Sequence, residues 1–155
     1  MRIKEIKEVF DVKKSNATQI SGDNDSQLGM SQILSVLPEW GRYDGFFIKT
    51  DTDNYMVLIN NDQSCCENWG YFSTEDDFDS FIGAELLSVR LTDTALKKEK
   101  VENAARYLDC GGIQFVDFET SEGVFQLVVY NSHNGYYGHK IMVVKNNEIL
   151  LKSIL

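Results

Sequence analysis

The sequence predicts an α+β fold: an antiparallel sheet, or strongly bent half-barrel, with helices packed on one side and a short helical segment in front. Three observations lead there. Apolar residues in the first 40 positions recur at helical spacing, whereas from Asp44 onward aromatic and branched residues crowd into short runs divided by turn chemistry. No strand-helix-strand rhythm runs through the chain, so the strands are expected to pair antiparallel. At 155 residues, 43% of them hydrophobic, the chain is long enough to bury roughly 70% of its unfolded surface without staples.

Taken in order, Ile3, Ile6, Val9 and Phe10 among Lys4, Glu5, Lys7 and Glu8 predict an amphipathic helix. A polar stretch around Gly22, Asp23, Asn24 and Asp25 follows as a loop. Met30, Ile33, Leu34 and Leu37 then mark a second helix that Pro38 stops. Residues 1–40 are therefore expected as a helical preface and 41–155 as the antiparallel α+β domain. Within the latter, residues 46–50 and 55–59 form a hairpin about Asp51, Thr52, Asp53 and Asn54. Ser73 or Thr74, the acids Glu75, Asp76 and Asp77, the apolar Phe78, Phe81 and Ile82, and Gly83 predict a capped helix over 74–82. Strand 85–91, a helix about 96–108 carrying Val101, Ala104, Ala105 and Leu108, and hairpins 113–130 and 140–154 complete the reading.

Two segments concentrate the reactive side chains. One is Cys65-Cys66-Glu67-Asn68-Trp69-Gly70-Tyr71; the other, His133-Asn134-Gly135-Tyr136-Tyr137-Gly138-His139, holds both histidines of the chain. A site is expected where they meet. Glu67, Asn68, Trp69, Tyr71, His133, Asn134, Tyr136 and Tyr137 supply the aromatic faces and polar edges of a pocket that stacks a flat ligand, such as a nucleotide signal. The same aromatics also serve as the rim of a sheet's core. Neighbouring residues on an extended chain point to opposite faces, so a vicinal thiol pair is a poor zinc site, and core packing of the cysteines is favoured over metal. A cysteine nucleophile served by histidine and Glu67 has the right groups. It lacks the surroundings of known cysteine enzymes. No catalytic residue, metal ligand or cofactor is assigned, and the chain is read as a non-enzyme.

With 15 basic against 24 acidic residues, the net charge of −9 repels nucleic-acid phosphate and disfavours direct nucleic-acid binding. Such a surface suits a protein partner with a basic groove. Candidate contacts are Asp23, Asp25, Asp51, Asp53, Glu75, Asp76, Asp77 and Asp79. The odd count of three cysteines, two of them adjacent, predicts reduced thiols in a reducing compartment, and no apolar run is long enough to span a bilayer. The chain is accordingly expected in the cytoplasm.

The Cys65-Cys66-Glu67 segment after a hairpin, an apolar stretch leading to Ile82-Gly83, and a later Asn134-Gly135-Tyr136-Tyr137 together resemble a family of uncharacterised domains of bacteriophages and prophage regions. The resemblance covers roughly residues 44–145 and leaves the helical preface outside. It implies a phage or mobile-element product inside a bacterial host. Joined to the acidic charge, it leads to the expectation of an anti-CRISPR-like inhibitor that occupies the basic surface of a nucleic-acid-handling defence enzyme.

Overall fold

The computed structural model describes residues 1–18, 25–62, 68–104, 111–132 and 138–155. Strands dominate: β1 (Ile3–Val12), β2 (Tyr43–Thr50), β3 (Asn54–Asn60), β4 (Asn68–Ser73), β5 (Leu86–Thr92), β6 (Gly111–Thr120), β7 (Gly123–Ser132), β8 (Lys140–Lys145) and β9 (Glu148–Ile154). The described helices are α1 (Asp25–Leu34) and α2 (Lys98–Ala104), with 3-10 turns at Lys14–Thr18 and Asp79–Phe81. Every strand pairing is antiparallel. The strands form two sheets, ordered β1-β2-β3-β8-β9 and β4-β7-β6-β5.

This corrects the expected α+β class. The fold is β-rich, two sheets stacked on a shared core, and not one sheet with helices along one side. The reason lies in consecutive apolar residues. Phe46, Phe47 and Ile48, and likewise Met56, Val57, Leu58 and Ile59, are all buried, which requires cover on both faces of their strands. The inner face carries Phe46, Ile48, Val57 and Val143 against Val116, Phe118, Phe125 and Leu127 of the second sheet. Phe118 and Phe125 stack there with ring centroids 4.8 Å apart. On the outer face of the first sheet, Ile33, Leu34 and Leu37 cover Phe47, Met56, Leu58 and Met142. On the outer face of the second, Val101 of α2 meets Phe115 and Val128.

The helix expected from Ile3, Ile6 and Val9 is strand β1, paired to β2. Its register shifts between Ile3 and Glu5 and again between Val9 and Val12. A bulge adds a residue to the alternation, so Ile3 and Ile6 both face the inter-sheet core while Val9 and Val12 both face the α1 side. The result imitates a three-residue period. The helix expected over 74–82 shrinks to the single turn Asp79–Phe81. Ser73 Oγ accepts the Glu75 N–H (3.1 Å) and Asp77 Oδ1 accepts the Asp79 N–H (2.8 Å), bonds that draw the backbone away from helical pairing. Of the helix expected at 96–108, α2 accounts for 98–104, and residues 105–110 lie outside those described.

One corner joins the sheets. Ile3 donates its N–H to Ala84 O (2.9 Å) and accepts that of Gly83 (2.7 Å), and Leu86 donates to Met1 O (2.7 Å), so the free edge of β1 is taken up at that end by the approach to β5. None of the described helices is long and apolar enough to cross a membrane.

Candidate functional site

Strand direction sorts the connections onto two ends of the stacked sheets. At one end lie the hairpin turns after β2, β6 and β8, and the 79–85 loop. At the other, the crossing end, lie the close of β3 and of β7 and the opening of β4 and of β8, the strand ends that flank the two reactive segments in sequence.

At the crossing end the flanks of those segments meet. β4 opens beside the close of β7, with Asn68 opposite Ser132 and Trp69 opposite Asn131. Across the gap between sheets, the Trp69 and His139 rings lie 5.1 Å apart at 30°. His139 is 2% exposed, and its Nδ1 bonds the Asn60 carbonyl. A carbonyl only accepts, so Nδ1 carries the hydrogen of that bond. The His139 backbone exchanges bonds with Leu155, and the buried Asn131 donates through Nδ2 to Leu155 O (2.9 Å). Gly70 makes room for the Tyr130 ring, whose hydroxyl would lie 2.4 Å from a Cβ there.

Tyr71, the next site candidate, reaches between the sheets and meets Phe46 edge-on at 5.7 Å. Burial raises its hydroxyl well above the ordinary value, and the carboxylates of Asp44 and Glu8 add to the shift. The void it lines with Gly45, Phe46, Val57, Ile59, Leu127 and Val129 measures about 10 Å³, no more than the space of a single water. A raised folded value means stability is fully present below the unfolded tyrosine pKa of about 10 and declines as pH rises above it. In a spectrophotometric titration we expect Tyr71 to ionise late, with Tyr43 and Tyr55, whose hydroxyls burial also raises, and Tyr71→Phe to shrink that late step by one tyrosinate. A Tyr71 that ionises with the exposed tyrosines would refute its burial.

The remaining predicted residues divide cleanly. Cys65, Cys66, Glu67, His133, Asn134, Tyr136, Tyr137 and Asp23 lie outside the described residues, as does Cys110. Asp25 begins α1 and Asn68 begins β4. Asp51 and Asp53 sit in the β2–β3 turn. Asp51 Oδ1 accepts the Arg2 backbone N–H (2.9 Å), which holds its carboxyl below the usual range, while Asp53 takes the Asn146 amide (2.7 Å) and lies 3.7 Å from Lys145 Nζ. Glu75 pairs with Lys97 (3.1 Å) and Asp76 with Lys100 (3.0 Å), a bond that keeps the Asp76 carboxyl low. Asp77 is spent on the Asp79 turn.

Bonds between turns draw further acids into the hairpin end. Glu85 N–H donates to Ser121 Oγ (3.0 Å) and Ser121 N–H to Glu85 O (2.9 Å), which seats Glu85 and Glu122 together. Asn146 N–H donates to Asn54 O (2.8 Å), bringing the β8–β9 turn, which Glu148 follows at the start of β9, beside Asp53. Glu85, Glu122 and Glu148 are exposed and were not among the sequence candidates.

A buried polar cluster was also missed. Gln126, 0% exposed, donates through Nε2 to Asp117 Oδ1 (2.6 Å) and Thr94 O (2.9 Å), and its Oε1 accepts the Leu96 N–H (3.2 Å). It ties the run-in to α2 down on the second sheet.

The family model described as Domain of unknown function (DUF7448) matches residues 4–143. The chain belongs to that family. The DUF7448 match takes in β1 and α1, so it begins well before residue 44, where the resemblance read from the sequence began. The DUF7448 region takes in the turns after β2 and β6 and the flanks of both reactive segments, while the turn after β8, Glu148 and β9 lie beyond residue 143. No curated protein and no solved structure matches the chain.

Proposed function

We propose that this DUF7448 protein acts by binding and not by turnover, and that its acidic hairpin end engages a basic, nucleic-acid-binding surface of a host protein. In this reading it is a phage or prophage product, an anti-CRISPR-like inhibitor of a nucleic-acid-handling defence enzyme in the bacterial cytoplasm. The observation that carries it is the gathering of Asp51, Asp53, Glu85, Glu122 and Glu148 on turns cross-linked by hydrogen bonds. Hydrogen bonds hold the backbone of these turns together, Asp51 and Asp53 are bound to the Arg2 N–H and the Asn146 amide, and the exposed Glu85, Glu122 and Glu148 present their charge from that frame. The net charge of −9 steers the same encounter. Glu75 and Asp76 contribute less than the sequence suggests, because Lys97 and Lys100 pair with them, and Asp51 and Asp53 are likewise offset in part by the N-terminal ammonium and Lys145, which leaves Glu85, Glu122 and Glu148 the larger share.

The test is affinity capture from a bacterial lysate with the wild type and a Glu85→Lys, Glu122→Lys, Glu148→Lys variant, at low and high salt. The expected partner is a nucleic-acid-handling protein that duplex DNA displaces and that the triple variant binds about tenfold more weakly or worse at low salt. A second reading, a nucleotide-type ligand at the crossing end, is favoured by the Trp69–His139 pair. Capture that is indifferent to salt and to the triple variant, yet lost in Trp69→Ala, would overturn the acidic-surface reading in favour of it.

A further inference from the structure

The outer face of the first sheet is only partly covered. Residues of α1 and the turn after it lie over β2 and β3, and their apolar cluster reaches Met142 and Val144 of β8. Beyond Pro38 the face opens into a groove of about 350 Å³ lined by Pro38, Lys140, Met142, Ile149, Lys152 and Ile154, with Ser153. Register explains the lining. Lys140 lies opposite Ile154, Met142 opposite Lys152 and Val144 opposite Ile149, so two lysines and an apolar strip occupy one face of the β8–β9 ladder. Ile154 is 67% exposed. Both lysines are exposed, and neither forms an ion pair with a described carboxylate.

We propose that this groove binds a small amphiphilic carboxylate, its hydrocarbon part laid on Met142, Ile149, Ile154 and Pro38 and its head between Lys140 and Lys152. The volume stands at the lower end of the ~300–1,000 Å³ of small-molecule sites. Apolar strip and paired ammonium groups are complementary to the two halves of such a molecule. A single negative charge also suits the setting better than a polyanion, which the net charge of −9 would repel. Lys140, Lys152 and Ile154 lie toward the far end of the β8–β9 ladder from its hairpin turn, and only Ile149 adjoins that turn, so different residues test the groove and the function proposed above.

The test is a titration of the full chain with decanoate below its micelle concentration, followed by backbone amide NMR. Decanol and decyltrimethylammonium serve as neutral and cationic comparisons. Decanoate is expected to give saturable shifts at Met142, Ile149 and Ser153, with dissociation about tenfold tighter than that of decanol, the size of one charge-assisted contact. The Lys140→Gln, Lys152→Gln variant, altered only at exposed positions and expected to retain the wild-type spectrum, should lose that margin. Ile154→Glu should abolish saturable shifts by placing a carboxylate in the groove. Equal binding of decanoate and decanol, undiminished binding by the double glutamine variant, or shifts centred elsewhere would each overturn the proposal.

Discussion

Replacing Gly45 by alanine is expected to abolish the stable fold. Gly45 lies in β2, between β1 and β3, opposite Val9 on one side and Leu58 on the other. A Cβ built there stands 1.8 Å from the Val57 carbonyl oxygen and 2.9 Å from its carbon. Both are backbone atoms of a paired strand, so relief requires β3 to move away from β2, and with it the apolar layers on both faces. We expect a loss of more than ~4 kcal/mol, a large part of the ~5–15 kcal/mol that holds a domain of this kind together. Gly123→Ala is the control. Its φ of 122° disfavours a side chain, but nothing lies within 4 Å of the added methyl, and the cost should be only about 1–2 kcal/mol. Urea unfolding of both variants decides the matter, and a Gly45→Ala protein as stable as Gly123→Ala would show that the close approach of the strands is not real.

Gln126→Leu should be the next most damaging change, although it places an apolar residue of similar length in a fully buried position. Its amide serves Asp117 Oδ1, Thr94 O and the Leu96 N–H at once. Leucine leaves the buried Asp117 with an Arg90 whose Nε lies 3.9 Å away on a side chain 65% exposed. Stranding a buried carboxylate costs about 3–5 kcal/mol, and the unpaired backbone groups add to it. We expect a loss of at least ~3 kcal/mol, with faster amide exchange concentrated at 94–101. The Asp117→Leu, Gln126→Leu double variant should recover part of the loss, because it removes the stranded charge. If the double variant is less stable than the single, the carboxylate is not the source of the cost.

The hairpins were legible because their turns announce themselves: Asp51 to Asn54, Thr120 to Gly123 and Lys145 to Asn147 each carry the polar residues a reversal needs. The same turns made the Gln126 cluster legible in principle. Counting back from Thr120 and Gly123 sets Asp117 opposite Gln126, which is the observed pairing. What hid it was parity: both fall on the face opposite Phe118 and Phe125, a face that simple alternation gives to solvent and that the 92–97 segment instead covers. The second sheet was hidden for the converse reason. Adjacent buried residues in β2 and β3 suggested a strong strand without saying what lay on each side. At the candidate site, the density of reactive side chains pointed to the crossing end, and the β4–β7 register brings its flanks together. The acidic end was only half visible, since Glu85, Glu122 and Glu148 are single charges far apart in sequence, joined by the meeting of turns. Glu75 and Asp76 looked free because their lysines come more than twenty residues later.

The order of strands in the first sheet also governs how the chain can be made. β3 pairs on one side with β2, its neighbour in sequence, and on the other with β8, with Tyr55 opposite Lys145 and Ile59 opposite Ile141. During synthesis, β3 emerges with its second edge open and must wait until four intervening strands and α2 have left the ribosome. Throughout that interval Met56, Val57, Leu58 and Ile59 border an unpaired edge, the kind of surface on which nascent chains associate wrongly. Long-range closure of this sort is slow because loop entropy is lost before any contact repays it. Assembly of the first sheet is therefore a late, whole-chain event, and a truncation within β8 would leave every earlier strand present but β3 without its second partner.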